Sequence, residues 1–426
     1  MKNIFLYFIA FYSQILAQPD FQLDKNIIQS GKFFNSEIHY FPSQEDYSVF
    51  YSYKISNSQL FFAKENNIFN AGISVSLEIK DSLRNSVIRV FDKQNISVED
   101  FELTNSENDF LQGIIQFTLP DGSYKIAAII SDANSKRERR IPPIDIIINK
   151  SNSILNPIVF DAGKVICESE ESYILSNNST SIPFNKPYFD LAIPVTDLNA
   201  NSITFSVKRG DSVFISNTKV TDPFLASPEL KLCDQNVVIK NVETGPKLKI
   251  FLLRDFSSNL SEGPVVLEVF VDDRTSSKKS FNLNVLWINK PRSLIDAELA
   301  IKILEIIEPK EVVSELQRMG KDYNKTLVDY WDKKDPTPNT GFNELMNEFY
   351  NRIDYCEKSF RNIAGNGGAK SDRGKIYIKY GAPDSIDRSN NDDDKVVESW
   401  NYKKLHRTFI FLDKEGTGKF QLVTEQ

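Results

Sequence analysis

Three polar residues near the C-terminus are of types that acid–base or anion-binding chemistry would use. Asp372 and Arg373 are adjacent, and Asp384 follows a short segment rich in Ile and Tyr. Arg373 could orient an anion while one carboxylate acted as a base, with Tyr377 or Tyr380 assisting, as a hydrolase or lyase would need. The same residues also make an ion-paired turn, in which Asp caps backbone N–H groups and Arg bridges to Asp384 or to a helix end. Structural ion-pair networks are common, and the turn is the simpler reading. Trp331 and Trp400 join Asp372, Arg373 and Asp384 as a candidate motif surface, since exported β-rich proteins use such rings to hold sugars. Core packing is the alternative for both indoles. No residue is assigned as catalytic, cofactor-binding or metal-ligating.

Other chemistry is scarce. The 426 residues hold two His and three Cys, which starves zinc sites and His-based catalysis. His39 and His406 lie far apart in the chain, and His406 sits in a basic loop with no acidic neighbour. Asp392, Asp393 and Asp394 lack the alternating ligands, central Gly and distal Glu of a calcium loop and read as a solvated tip. There is no Gly-rich phosphate loop, no Gly-x-Ser-x-Gly and no closely spaced Cys pair. No cofactor is expected. Lys and Arg number 51 against 58 Asp and Glu, a formal charge of -7, which argues against nucleic acid as a partner.

The elements that must position these residues begin with a leader. Lys2 precedes the apolar run Ile4 to Tyr12, and Ala17 offers a small residue before Gln18-Pro19-Asp20. This predicts a signal peptide over residues 1–17, cleaved before Gln18, and export to a periplasmic or extracellular space. The apolar run is too short to span a bilayer, and no later run is long enough, so no transmembrane segment is expected in the mature chain.

Residues 20 to 290 then alternate with period 2. Ile115, Phe117 and Leu119 share one face, Pro120-Asp121-Gly122 turns the chain, and Tyr124, Ile126 and Ala128 resume the alternation. That spacing suits a tyrosine corner in an Ig-like β-sandwich. Ile73–Ile79 and Ser86–Phe91 add strands. Ser135 to Arg140 followed by Pro142-Pro143 reads as a charged strand edge. A second set of strands includes 188–195, 202–208, 247–253, 265–271 and 281–287. Cys167 and Cys233 fall within it, either as a disulfide or as two buried thiols.

After residue 290 the spacing becomes helical. Ser293 and Asp296 suggest a capping box ahead of an apolar face formed by Ile295, Leu299, Ile303 and Ile306. Pro309 opens a second helix with Val312, Val313, Leu316 and Met319, continuing through Tyr323, Leu327 and Tyr330-Trp331. A third carries Leu345, Phe349, Ile353, Cys356 and Phe360, which makes Cys356 a core thiol. Segments 375–380, 397–402, 408–412 and 419–423 alternate again and predict an antiparallel meander.

The last 100 to 130 residues carry an ordered series of motifs. They are Trp331 to Thr340, Asn343-Glu344, Tyr350-x-Arg352, Asp372 to Ile378, Tyr380-Gly381-x-Pro383-Asp384, Trp400-x-Tyr402, Phe409-x-Phe411-x-Asp413 and Gly416-x-Gly418. This series resembles the GWxTD domain, a family of exported bacterial proteins. The namesake motif reads Gly368-Ala369-Lys370-Ser371-Asp372 here, with Ala in place of Trp and Ser in place of Thr. The resemblance implies a fold unit and no particular reaction.

The sequence therefore predicts a multidomain chain: signal peptide 1–17, an Ig-like β-sandwich over 18–150, a second over 151–290, and an α+β GWxTD-like domain over 291–426 with three helices and a meander. The function expected is that of a non-enzymatic cell-envelope protein that binds an envelope protein or surface polymer. The alternative is a hydrolase or lyase built around Asp372, Arg373 and Asp384.

Overall fold

Alternation of apolar and polar residues builds most of the molecule as antiparallel sheet, with helices gathered toward the C-terminus. The computed structural model describes residues 34–83, 85–319, 322–361 and 367–425; the expected leader at residues 1–17 lies outside them.

The first strands form two facing sheets. One has three strands, 34–42, 47–56 and 110–119, and the other is built from 63–65, 68–81, 86–98, 122–132 and 138–148. Between them Ile73, Val75, Leu77 and Ile79 meet Tyr51, Tyr53, Ile115 and Leu119. At the corner from one sheet to the other, the Tyr124 hydroxyl donates to the Pro120 carbonyl at 3.1 Å, the predicted tyrosine corner. Strand 138–148, with Pro142 and Pro143, is the sheet's edge as the charge pattern implied.

Strand 47–56 is covered on both faces. Ser52, Lys54 and Ser56 are buried, like Val49, Tyr51 and Tyr53 on the other face. Its polar face meets a seven-stranded sheet that includes strands 158–167, 170–175, 189–195, 228–233, 236–241 and 248–253. There the Lys54 ammonium donates to the Ser176 carbonyl at 2.9 Å, and Asn177 donates to Gln112. The Glu37 carboxylate accepts from the Thr180 amide at 2.7 Å and lies 3.2 Å from His39 Nε2.

The seven-stranded sheet is itself buried on both sides. Ile158, Phe160, Ala192, Val237 and Ile250 belong to the cluster they share with the first sheets. Val159, Leu191, Ile193 and Phe251 belong to a second cluster, with strands 202–209, 263–271 and 279–286 and the C-terminal helices. Packing therefore continues across residues 150 and 290. Cys167 and Cys233 form a disulfide, with Cα atoms 5.9 Å apart. It ties together the ends of strands 158–167 and 228–233, whose hairpin partners 170–175 and 236–241 pair with each other.

The rings of Phe184, Trp287 and Phe342 meet pairwise at 5.3–5.4 Å and join the β region to the helical one. Gly341 is needed there. Its amide donates to the Ser258 carbonyl, and a Cβ would lie 2.3 Å from the Leu260 oxygen.

Beyond residue 290 the described chain has five α-helices where three helices were expected. They are α1 (Ala297–Ile303), α2 (Lys310–Met319), α3 (Tyr323–Asp332), α4 (Glu344–Ser359) and α5 (Asp372–Tyr380). The expected second helix is two, because Asp322 caps a new start by accepting from the Lys325 amide. Segment 375–380, expected as a strand, is α5. Ser371 caps it, and Gly381, at φ +82°, ends it. The meander is four-stranded as expected, but its first strand is 385–390, followed by 396–402, 407–413 and 420–425. The predicted face of α4 is buried at Phe349, Ile353 and Cys356, with Phe360 just beyond its end, although Leu345 is exposed.

Candidate functional site

The turn before α5 is held by backbone groups that leave no room for larger residues. A Cβ on Gly368 would lie 1.9 Å from the Cys356 carbonyl oxygen in α4, and one on Gly374 would lie 2.1 Å from the Gly368 oxygen. The Glu357 carboxylate accepts from the amides of Gly368 and Ala369 at 3.3 and 3.0 Å. Ser371 Oγ accepts from the Gly374 amide and donates to the Gly368 carbonyl at 2.6 Å. Ser in place of the family's Thr thus keeps a hydroxyl that caps a helix.

Asp372, Arg373 and Asp384 do not converge. Arg373 is buried, its guanidinium 4.0 Å from the Phe420 ring centroid and 5.0 Å from that of Phe360. It donates to Glu398 at 3.1 Å and to the Gly418 carbonyl. Arg388 supplies the second cation on Glu398, and the Trp400 indole N–H donates to the same carboxylate. Asp372 accepts from the Leu422 amide and pairs with Lys375. Asp384 lies beyond the other end of α5, about 13 Å of helix away, and accepts from the Lys403 amide at 2.7 Å. Each polar group is engaged by fold-holding partners.

Trp331 and Trp400, expected as part of a surface, are only 2% and 1% exposed. Trp331 packs among Tyr330, Phe349 and Tyr350, and Trp400 among Phe360 and Phe411. The surrounding aromatic side chains take both indoles into the core, so neither ring can serve as a platform. The remaining motif residues also act on the backbone. Arg352 donates to the Ile378 carbonyl at the end of α5, Tyr402 donates to Gly381, and Asp413 accepts from Thr417 and Gly418. Burial pushes the Cys356 thiol up to about 12, which makes it a poor nucleophile. Among the described residues no group of three or more His, Cys, Asp or Glu is arranged to hold a metal.

A groove of about 690 Å³ opens beside the motif turn, between α1 and α4. Its apolar lining comes from Leu299, Ile303 and Ile306, on α1 and the turn that follows it, and from Ile353 on α4, with Ala369 of the motif turn beside them. The stripe Ile295, Leu299, Ile303 and Ile306 was expected to face the core. Ile303 and Ile306 do pack against it, half-buried, but Ile295 is 67% and Leu299 50% exposed, while Ala297, Ala300, Ile301 and Leu304 are buried. The physical reason is that α1 is apolar on two faces, and the core takes the flatter, alanine-bearing one. Asp296 alone caps α1, accepting from Leu299 N; Ser293, expected to open a capping box, donates instead to the Tyr350 carbonyl.

The groove's charges are also uneven. Its lining holds Arg292, Lys302, Lys358, Arg361 and Lys370 against Glu305, Asp354 and Glu357. Asp354 is occupied by the amides of Arg292 and Ser293 at 2.5 and 3.1 Å, and Glu357 by Arg361 and the motif turn. Sequence reasoning missed Lys302, Lys358 and Lys370. The signal that could have found the groove is the surplus of apolar residues around α1.

The family model described as the GWxTD domain matches residues 269–425, so the similarity begins within strand 263–271, earlier than the last 100 to 130 residues expected. No curated protein matches the chain. Among solved structures, a chain titled "Biofilm associated protein - BSP domain" is similar at 8% identity and a TM-score of 0.16, over 62% of this chain and 55% of that one. Another, titled "pT26-6p", is similar at 9% identity and a TM-score of 0.13, over 84% of this chain and 86% of that one. Neither likeness is close enough to carry fold or function across.

Proposed function

On the premise that residues 269–425 are a GWxTD domain, we propose that this is an exported, non-enzymatic cell-envelope protein that binds a protein partner through that domain. In this reading the leader over 1–17 is removed and two Ig-like sandwiches, 18–150 and 151–290, act as a stiff spacer. The unit from 291 onward presents the groove beside the motif turn.

The observation that carries the reading is the apolar stripe of α1, left open next to the motif turn. Its apolar lining is aliphatic, with no aromatic ring among the described residues, which suits a protein segment better than a sugar polymer, whose pyranose faces favour rings. The Cys167–Cys233 disulfide fits an oxidising compartment outside the cytoplasm. The engagement of Asp372, Arg373 and Asp384 by backbone and buried partners speaks for a scaffold rather than a reaction site.

The test is a photo-crosslinking residue placed at position 299 of the full chain in its own cells, compared with one at the exposed Val213. A discrete protein adduct from position 299 alone is expected. No adduct, or the same adducts from both positions, would overturn the binding reading. Fractionation should find the chain outside the cytoplasm with its N-terminus at Gln18; a cytoplasmic chain retaining residues 1–17 would overturn export.

A further inference from the structure

We infer that the groove between α1 and α4 takes an acidic amphipathic helix of a partner protein. This rests on the binding reading above and specifies the chemistry of the partner.

The shape selects a helix. Leu299 and Ile303, four apart on α1, and Ile306 in the 3-10 turn that follows it form an apolar row that an opposing helix's apolar ridge can meet. The described lining residues lie on helices or the loops between them, and none of them belongs to a strand. An extended peptide would lie there with its backbone donors and acceptors unpaired, whereas a helix satisfies its own.

The charge selects an acidic partner. The lining holds five basic and three acidic side chains, although the chain as a whole carries -7. Two of the three carboxylates are already held by backbone amides. Arg292 is paired with Glu107 and Arg361 with Glu357. Lys302, Lys358 and Lys370 have no ion-pair partner among the described residues, and all three are exposed. Lys302 stands on α1, Lys358 on α4 and Lys370 in the motif turn, so the three side chains reach the groove from three separate elements and share it with Leu299, Ile303, Ile306 and Ile353. Carboxylates flanking an apolar stripe are the complement of that arrangement, and they would set orientation and association rate.

The probe is a synthetic peptide about five helical turns long, with Leu along one face and Glu on either side of it, labelled for fluorescence anisotropy. It is added to the full chain, beside a version with Lys for Glu and a scrambled version. The Glu peptide should bind at least about tenfold more tightly than either control, and more weakly as salt rises. The double substitution Lys302→Glu and Lys370→Glu, and separately Leu299→Asp, should each weaken binding about tenfold or more. All three positions are exposed, so the variants should keep the parent's circular dichroism. Equal binding of the Glu and Lys peptides, no binding of either, or indifference to the charge reversals would overturn the proposal. So would self-association abolished by Leu299→Asp, which would assign the groove to a second copy. A crosslinked partner at position 299 without binding of the Glu peptide would leave the docking reading standing and remove only the acidic helix.

Discussion

Arg373 was the residue best placed by type to do chemistry, and its surroundings spend it on structure. Its guanidinium lies between two rings and shares Glu398 with Arg388. Arg373→Ala leaves the buried Glu398 with one cation and opens the space between Phe360 and Phe420, and it should cost about 3 kcal/mol in urea unfolding. A loss under about 0.5 kcal/mol would mean that the pocket stays filled and paired without it. Lys54 supplies a second prediction. Burial holds its ammonium down to about 8, with Glu37 partly opposing the shift. An unfolded lysine titrates near about 10.4, so between the two values the unfolded chain binds a proton that the folded chain does not. Stability should therefore rise with pH across that window, by up to about 3 kcal/mol, and the rise should be missing in Lys54→Met. The comparison is cleanest below the pH at which tyrosines ionise. Parallel curves would show Lys54 fully charged in the folded protein. The sequence carried the identities of these residues but not their partners, because Glu398 is 25 positions from Arg373 and only the meander brings it near.

At the scale of elements, legibility followed length. The strands around Ile115 and Tyr124 alternate for many residues, and no helical face competes with them. Segment 375–380 is six residues long, and Ile376, Ile378 and Tyr380 alternate, while Gly374, Tyr377 and Ile378 fall equally well on one helical face. What decided it was punctuation: the Ser371 hydroxyl at one end and Gly381 at the other. Ser371→Ala should cost about 1 kcal/mol and be seen as faster hydrogen exchange in α5. Gly368→Ala should cost more, about 3 kcal/mol or above, since its new Cβ meets the α4 backbone rather than a movable side chain. Equal thermal shifts for the two variants would count against this account of the motif turn. The α1 stripe was read correctly as apolar, and as core it holds only at its far end, where Ile303 and Ile306 pack on the interior while Ile295 and Leu299 do not, because spacing locates a face but does not say which of two faces the interior will choose.

The molecule as a whole is a stack of layers, and this level was least visible beforehand. In strand 47–56 the polar residues Ser52, Lys54 and Ser56 look like a solvent face, yet they pack on another sheet through hydrogen bonds. The disulfide likewise depended on a Cα separation that spacing in the chain does not give. It closes a sequence separation of 66 residues, so reduction should remove up to about 4 kcal/mol of stability by the chain-entropy argument. Urea titrations with and without reductant check it, and unchanged midpoints would mean that neighbouring strands already hold those ends.

The seven-stranded sheet has a practical corollary for anyone wishing to dissect the protein. Severing the polypeptide near residue 150 would bare the greasy flank of Ile158, Phe160, Ala192, Val237 and Ile250 on one fragment and its counterpart on the other. Each piece would be expected to clump or to seek its missing mate when the two are mixed.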